Sequence, residues 1–152
     1  MPTSGAPSSA AVPTIDGIPC DPSDHEDGYH VHAHLNFRLE GALQEIPADI
    51  GIGDGCGYWI HTHANHGLLH VEAASVARYT LGQFFAIWGK PLTSRQVGDV
   101  KFGPGQHLFV FLGGQPFDGD PRSIELVDHA SIEIQIGMTR LPPLDYTFPP
   151  GY

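Results

Sequence analysis

The chain has 152 residues, of which 41% are hydrophobic and 10% aromatic, enough for one domain with a sizeable core. Seven Lys and Arg stand against seventeen Asp and Glu, and no basic cluster offers a surface for phosphates, which argues against nucleic acid as a partner. No apolar run reaches the roughly 18 residues of a membrane span, so no transmembrane segment is predicted.

Residues 1–22 are rich in Pro, Ser, Ala and Gly and poor in bulky apolar side chains. They are predicted to form a flexible linker that adds nothing to the core. A leader of this kind is typical of a secreted or extracytoplasmic protein, tethered through the linker after a signal peptide has been removed. A single β-rich metal-binding domain is predicted for residues 23–140, and an extended Pro-rich tail for residues 141–152.

The two cysteines are Cys20, at the end of the linker, and Cys56, in a glycine-rich loop. A disulfide between them would join the linker to the loop and would agree with an oxidising compartment. Metal thiolates or free thiols are the alternatives, although the CxxC spacing of a thiolate site is absent.

A long strand is predicted from Tyr29 onward, because apolar and polar residues alternate there. Its polar face carries His30, His32 and His34. Because only the opposite, apolar face would pack against the core, the strand is predicted to be half-buried. Gly41 and Ala42 then turn the chain into a return strand that ends in the loop GIGDGCG, which completes a first hairpin.

A second hairpin is predicted from residues 58–63 and 68–72, around the loop Ala-Asn-His-Gly. In this register His61 faces His70, His63 faces Leu68, and Glu72 shares their side of the sheet. A helix follows over LGQFFAIWG, with Thr80 as its N-cap. Its aromatic residues lie at helical spacing and are interpreted as core.

Strands are predicted at residues 107–112, 124–127 and 131–136, with a turn at Gly113 and Gly114. This order of elements favours an α+β, β-rich fold: a β-grasp-like mixed sheet with an inserted histidine-bearing hairpin and one short helix. An all-β sandwich or a cupin-like barrel is the alternative.

The histidines in these two hairpins predict a mononuclear metal site. Residues two apart on a strand keep their side chains about 6 to 7 Å apart, so two can bind one ion if a neighbouring strand supplies a third. Imidazoles without thiolates favour copper first and zinc second. The predicted ligands are His32, His34, His61, His63 and His70.

Three functions suit such a site. The first is a copper-dependent oxidoreductase acting on a small or polymeric substrate, in which Tyr58 serves as a substrate platform or radical relay. The second is a carrier, store or sensor of copper or zinc. The third is a zinc hydrolase or lyase with Glu72 as the general base, although Glu72 could equally be a ligand or an acceptor for an imidazole N–H.

The strings HVHAHLNF, IPADIGI, CGYWIHTHANHGLLHVE and YTLGQFFAIWGKPL together resemble a group of small secreted or lipid-anchored bacterial and archaeal proteins of unsettled function. The resemblance covers about residues 20–137. It implies that the histidines above, Glu72 and both cysteines belong to a plan that the group shares. The group usually has an acidic residue after HTH, where this chain has Ala64.

Overall fold

A computed structural model describes residues 12–23 and 28–152, so residues 1–11 of the predicted linker lie outside the described ranges. The described elements are β1 Cys20–Asp21, β2 Tyr29–Leu39, β3 Ala42–Gln44, β4 Gly57–Tyr58, β5 Ile60–His61, β6 Leu68–Ala73, α1 Leu81–Trp88, β7 Gln96–Val97, β8 Val100–Lys101, β9 His107–Leu112, β10 Gln115–Pro116, a 3-10 turn Pro121–Ser123, and β11 Ala130–Gly137. The predicted α+β, β-rich fold is confirmed.

The main sheet is mixed, with its longest strands at the centre. Strand β2 runs parallel to β11, and β11 pairs antiparallel with β9. Strand β10 pairs with β9 and is the edge strand on that side. On its other side β2 pairs with β3, which gives the strand order β3-β2-β11-β9-β10. Among the described residues the sheet does not close into a barrel.

The histidine-bearing hairpin extends the same edge of the sheet. Strand β6 pairs antiparallel with the first half of β2, whereas β3 pairs with its second half, and β5 lies outside β6. The hairpin therefore lies between the first hairpin and the helix in the chain, and beside β2 in space.

Helix α1 forms as the sequence predicts. Thr80 accepts a hydrogen bond from the backbone N–H of Gln83, whose side chain accepts from the N–H of Thr80, and Gly89 ends the helix in the left-handed conformation. Phe84 and Phe85 are fully buried in the core. The aromatic residues at helical spacing are thus packing residues.

Strand β2 is buried on both faces, not on one. Its apolar side faces the core, but His32, His34 and Asn36 on the opposite side are also at most 8% exposed. Residues 141–148 cross this face: Tyr146 stacks on His34, and on the neighbouring strand Gln135 exchanges two hydrogen bonds with the backbone of Leu141. The prediction of a half-buried strand is wrong because it left out this covering segment.

Two other strand predictions need correction. Residues 124–127 form no strand. Their sheet-like pairing is a single bridge between Thr80 and Glu125, in which the N–H of Leu81 donates to the oxygen of Ile124 and the N–H of Leu126 to that of Tyr79. Ile124 and Leu126 are buried by this packing. Buried and exposed residues therefore alternate here although the segment has no continuous hydrogen bonding to a neighbouring strand. The strand predicted at residues 58–63 is interrupted after Tyr58 and ends at His61.

A disulfide joins Cys20 to Cys56, and β1 pairs with β4 beside it. This resolves the alternatives that the sequence leaves open for the two cysteines. Ile18 is 2% exposed within the core, so the prediction that residues 1–22 add nothing to the core is wrong at this position. No helix in the described ranges is long and apolar enough to cross a bilayer.

Candidate metal centre

Three histidines lie side by side across three neighbouring strands. His70 on β6 is paired with His32 on β2 and with His61 on β5. The ring centroid of His70 lies 4.7 Å from that of His32 and 5.5 Å from that of His61. These separations are close to the spacing of adjacent strands, about 4.8 Å, so the sheet itself sets the spacing of this row. The predicted pairing of His61 with His70 is confirmed.

A second row lies two residues along the strands, where His30 on β2 is opposite Glu72 on β6. Glu72 Oε2 lies 3.7 Å from His30 Nε2 and 3.2 Å from His61 Nε2. His63, which follows β5, turns its ring to within 4.6 Å of His70 between centroids. His30 and Glu72 are on the same face as the first row because each lies two residues from a member of that row on the same strand. The ring contacts of His63 with His61 and His70 place it on that side as well.

Two sets of donors are close enough to hold an ion. The four-ligand group consists of His61, His63, His70 and Glu72, and the three-histidine group consists of His30, His32 and His70. Within each group, one donor atom from every residue lies within 4.8 Å of the others. Small side-chain movements would bring such donors to the metal–ligand distances of about 2.0 to 2.2 Å that imidazole and carboxylate adopt with zinc.

A hydrogen bond orients the His61 ring. Its Nδ1 lies 2.7 Å from the backbone oxygen of Tyr58, and because a carbonyl oxygen only accepts, Nδ1 carries the proton. Nε2 is left without a proton and points to Glu72 Oε2 at 3.2 Å. A histidine held through one nitrogen by a carbonyl, with the other directed at the ion, is the usual arrangement of a metal ligand.

The histidines of the row are neutral near pH 7. Burial, together with the neighbouring His32, His63, His61 and His30, lowers the pKa of His70 to about 3. Burial likewise lowers the pKa of His61 and, together with His30, that of His32. Since a metal binds the unprotonated nitrogen, no proton has to be removed from these rings before an ion enters.

An open cleft of about 940 Å³ gives access to both groups. Trp59 lines it on the hairpin side, and its indole N–H donates to Asp21. Tyr152 lines it on the opposite side, with its ring centroid 4.8 Å from that of His32. A ligand of modest size can therefore reach the donors from solvent.

The structure gives His34 other partners than a metal site. Its ring stacks on Tyr146 with centroids 3.4 Å apart, and its Nε2–H donates to the backbone oxygen of His66 at 2.8 Å. Burial lowers the pKa of His34 to about 4, and its buried Nδ1 has no hydrogen-bond partner. His34 belongs to neither group of donors, although sequence analysis predicted it as a ligand.

Of the two residues predicted to be catalytic, Glu72 has its side chain among the candidate metal donors, whereas the Tyr58 hydroxyl is bonded elsewhere. Glu72 lies among the candidate donors, with its Oε2 3.2 Å from His61 Nε2. The Tyr58 hydroxyl donates to the backbone oxygen of Pro13 at 2.8 Å, so this group is bonded to the N-terminal segment, while the Tyr58 carbonyl orients His61.

Sequence analysis missed two residues of this site. His30 has a signal in the sequence, because it shares the alternating face of His32 and the predicted sheet could have brought it opposite Glu72. Tyr152 has none, because it lies 120 residues from His32 in the chain and only the path of residues 141–152 brings the two rings together.

No family model matches the chain, and neither the curated proteins nor the solved structures contain a match. The chemistry of the centre therefore has to follow from its own residues.

Proposed function

We propose that this protein is an extracytoplasmic copper-binding protein that holds an ion in the four-ligand group. The observation that carries the proposal is the convergence of three imidazoles and one carboxylate, from β5, β6 and the residues just after β5, within 4.8 Å of one another. Burial keeps two of these imidazoles, His61 and His70, unprotonated at neutral pH.

The choice of copper follows from the donors. Magnesium and calcium prefer sites built from oxygen, whereas imidazole suits copper, zinc, iron and nickel. Among divalent ions of the first row, copper binds most tightly to a given set of such donors, with zinc weaker. Both cysteines are in a disulfide, so no thiolate competes for the ion in the described part of the chain.

The disulfide supports a position outside the cytoplasm. The Cys20–Cys56 bond is of the kind that persists in oxidising compartments. Membership in the secreted or lipid-anchored group that the sequence resembles agrees with this and remains a prediction. The formal charge of -10 is relevant to the ion instead, because it attracts cations to the protein surface.

Metal binding is tested on protein purified without a histidine tag. Cu(II) and Zn(II) affinities are measured by competition with a chromophoric chelator, and folding is checked by circular dichroism. The double variant His61→Ala, His70→Ala should lose the tight site, whereas His107→Ala, an exposed histidine on β9, should keep it. A wild-type protein that gains no thermal stability from either ion would refute the proposal.

We further propose that the copper centre is an oxidoreductase, because the cleft gives a small or polymeric substrate access to the ion. Dioxygen consumption in the presence of ascorbate tests this. Each ascorbate would give two electrons, one at a time through the copper ion, to one dioxygen, and the two protons that ascorbate releases to solvent would complete hydrogen peroxide. Copper-loaded wild type should consume oxygen faster than the same concentration of copper held by the chelator. Equal or slower consumption would leave a carrier or store as the function.

A further inference from the structure

The row of three histidines divides into two donor groups. His32 and His61 are both paired with His70, from opposite sides, so their Cα atoms are two strand spacings apart, about 9.6 Å. His61 falls in the four-ligand group and His32 in the three-histidine group, and only His70 falls in both. An ion in the four-ligand group therefore leaves His30 and His32 available to a second ion.

The far side of His70 has its own set of donors. His30 and His32 lie two residues apart on the same face of β2, with ring centroids 4.8 Å apart. Together with His70 their nitrogens lie within 4.8 Å of one another. His30 is partly exposed on the cleft, so this set is accessible to an ion without any rearrangement of the core.

Two side chains connect the donor groups. His70 belongs to both, and its ring can bind an ion on each of its two nitrogens once the remaining N–H proton has been released to solvent. Glu72 lies between His61 and His30, with the same oxygen 3.2 Å from one ring and 3.7 Å from the other. A carboxylate has two oxygens, each with lone pairs for a metal, so Glu72 can bridge two neighbouring ions.

We infer that the centre binds two transition-metal ions side by side: one in the four-ligand group, and a second between His30 and His32, with His70 and Glu72 between the ions. This inference rests on the proposed function for its first ion and adds the second. It also replaces the mononuclear site expected from sequence with a dinuclear one. The carboxylate of Glu72 offsets part of the repulsion between the two cations.

Stoichiometry provides the first test. Zn(II) is titrated into tag-free protein, because zinc has no redox chemistry to complicate the count, and bound metal is measured after gel filtration. Wild type should bind two equivalents. The pair His30→Gln, His32→Gln should bind one, and the pair His61→Gln, His63→Gln should also bind one. The control His107→Gln should bind two.

The outcomes separate this inference from the proposed function. Wild type that binds no zinc and no copper overturns both. Wild type that binds a single equivalent, lost in the His61, His63 pair but kept in the His30, His32 pair, overturns the second ion and leaves the proposed function standing. If a pair variant fails to fold, His30→Gln alone, at a partly exposed position, should weaken binding of the second equivalent by at least tenfold.

Paramagnetic resonance of the wild type tests whether the two ions are neighbours. Two Cu(II) ions that share ligands interact magnetically, so the integrated signal at two equivalents should fall well below the copper concentration. The His30, His32 pair variant should show the full intensity of an isolated ion. Full intensity for wild type at two equivalents would place the ions apart and overturn the inference.

Discussion

Replacing His34 with Gln should change how the stability of the metal-free protein depends on pH. The His34 ring is 2% exposed, and its Nε2–H donates to the backbone oxygen of His66 at 2.8 Å. A Gln side chain can make the same donation but does not titrate. The variant therefore removes the titration of a buried group while it keeps a donor at that position.

The sign and size of the effect follow from the pKa of His34. Burial lowers this pKa to about 4 in the folded protein, against 6.5 for an unperturbed histidine. Between pH 6.5 and pH 4 the unfolded state binds more protons than the folded state, so acidification lowers the free energy of unfolding. Above about pH 6.5 and below about pH 4, the two states bind the same number of protons at His34, and this residue causes no further change. At about 1.4 kcal/mol per pH unit, the loss attributable to His34 is about 3 kcal/mol.

Urea unfolding of both proteins with chelator present measures this quantity at pH 7.5, 6, 5 and 4. The unfolding free energy of wild type minus that of His34→Gln should fall by about 3 kcal/mol across this series. His70, whose pKa is also low, is present in both proteins, so its contribution cancels in the difference. A difference that stays constant with pH would refute the assignment of His34 as a neutral, buried group.

Three further predictions concern the hairpin and its disulfide. Tyr58→Phe should keep the Cu(II) affinity of wild type, because the backbone carbonyl orients His61, and weaker binding in calorimetry would contradict this. Replacing Cys20 and Cys56 with Ser should lower the free energy of unfolding in urea by about 4 kcal/mol, because the bond closes a loop with a sequence separation of 36; an unchanged midpoint would count against it. Gly67→Ala should cost more than about 2 kcal/mol in the same assay, because φ is +88° and the added methyl group would overlap the backbone of β2, and stability equal to wild type would show that the loop can shift.

The fold could be predicted from sequence where local signals decide it. The Thr80 cap, the helical spacing of the aromatic residues and Gly89 define α1 through contacts within a few residues. The alternation from Tyr29 onward defines β2, and the paired glycines define the turn after β9. Residues 124–127 were assigned to a strand because alternating burial looks the same whether it arises from a ladder or from packing against a helix.

The candidate site also combines features that local sequence determines with features that depend on tertiary structure. The sequence alone determined the pairing of His61 with His70 and the side of the sheet that Glu72 shares, because the alternation of side chains in the two strands allows only a register that keeps their apolar residues on one face. Tertiary structure alone decided that β6 also pairs with β2, which brings His30 opposite Glu72 and His32 opposite His70.

The tertiary structure also separated His34 from the other histidines. Its position in the alternating pattern is equivalent to that of His32, but Tyr146 covers it from a segment more than a hundred residues away in the chain. A strand's period determines which side chains share a face. Which of them remain open to an ion depends on what packs over that face, and no local pattern contains that information.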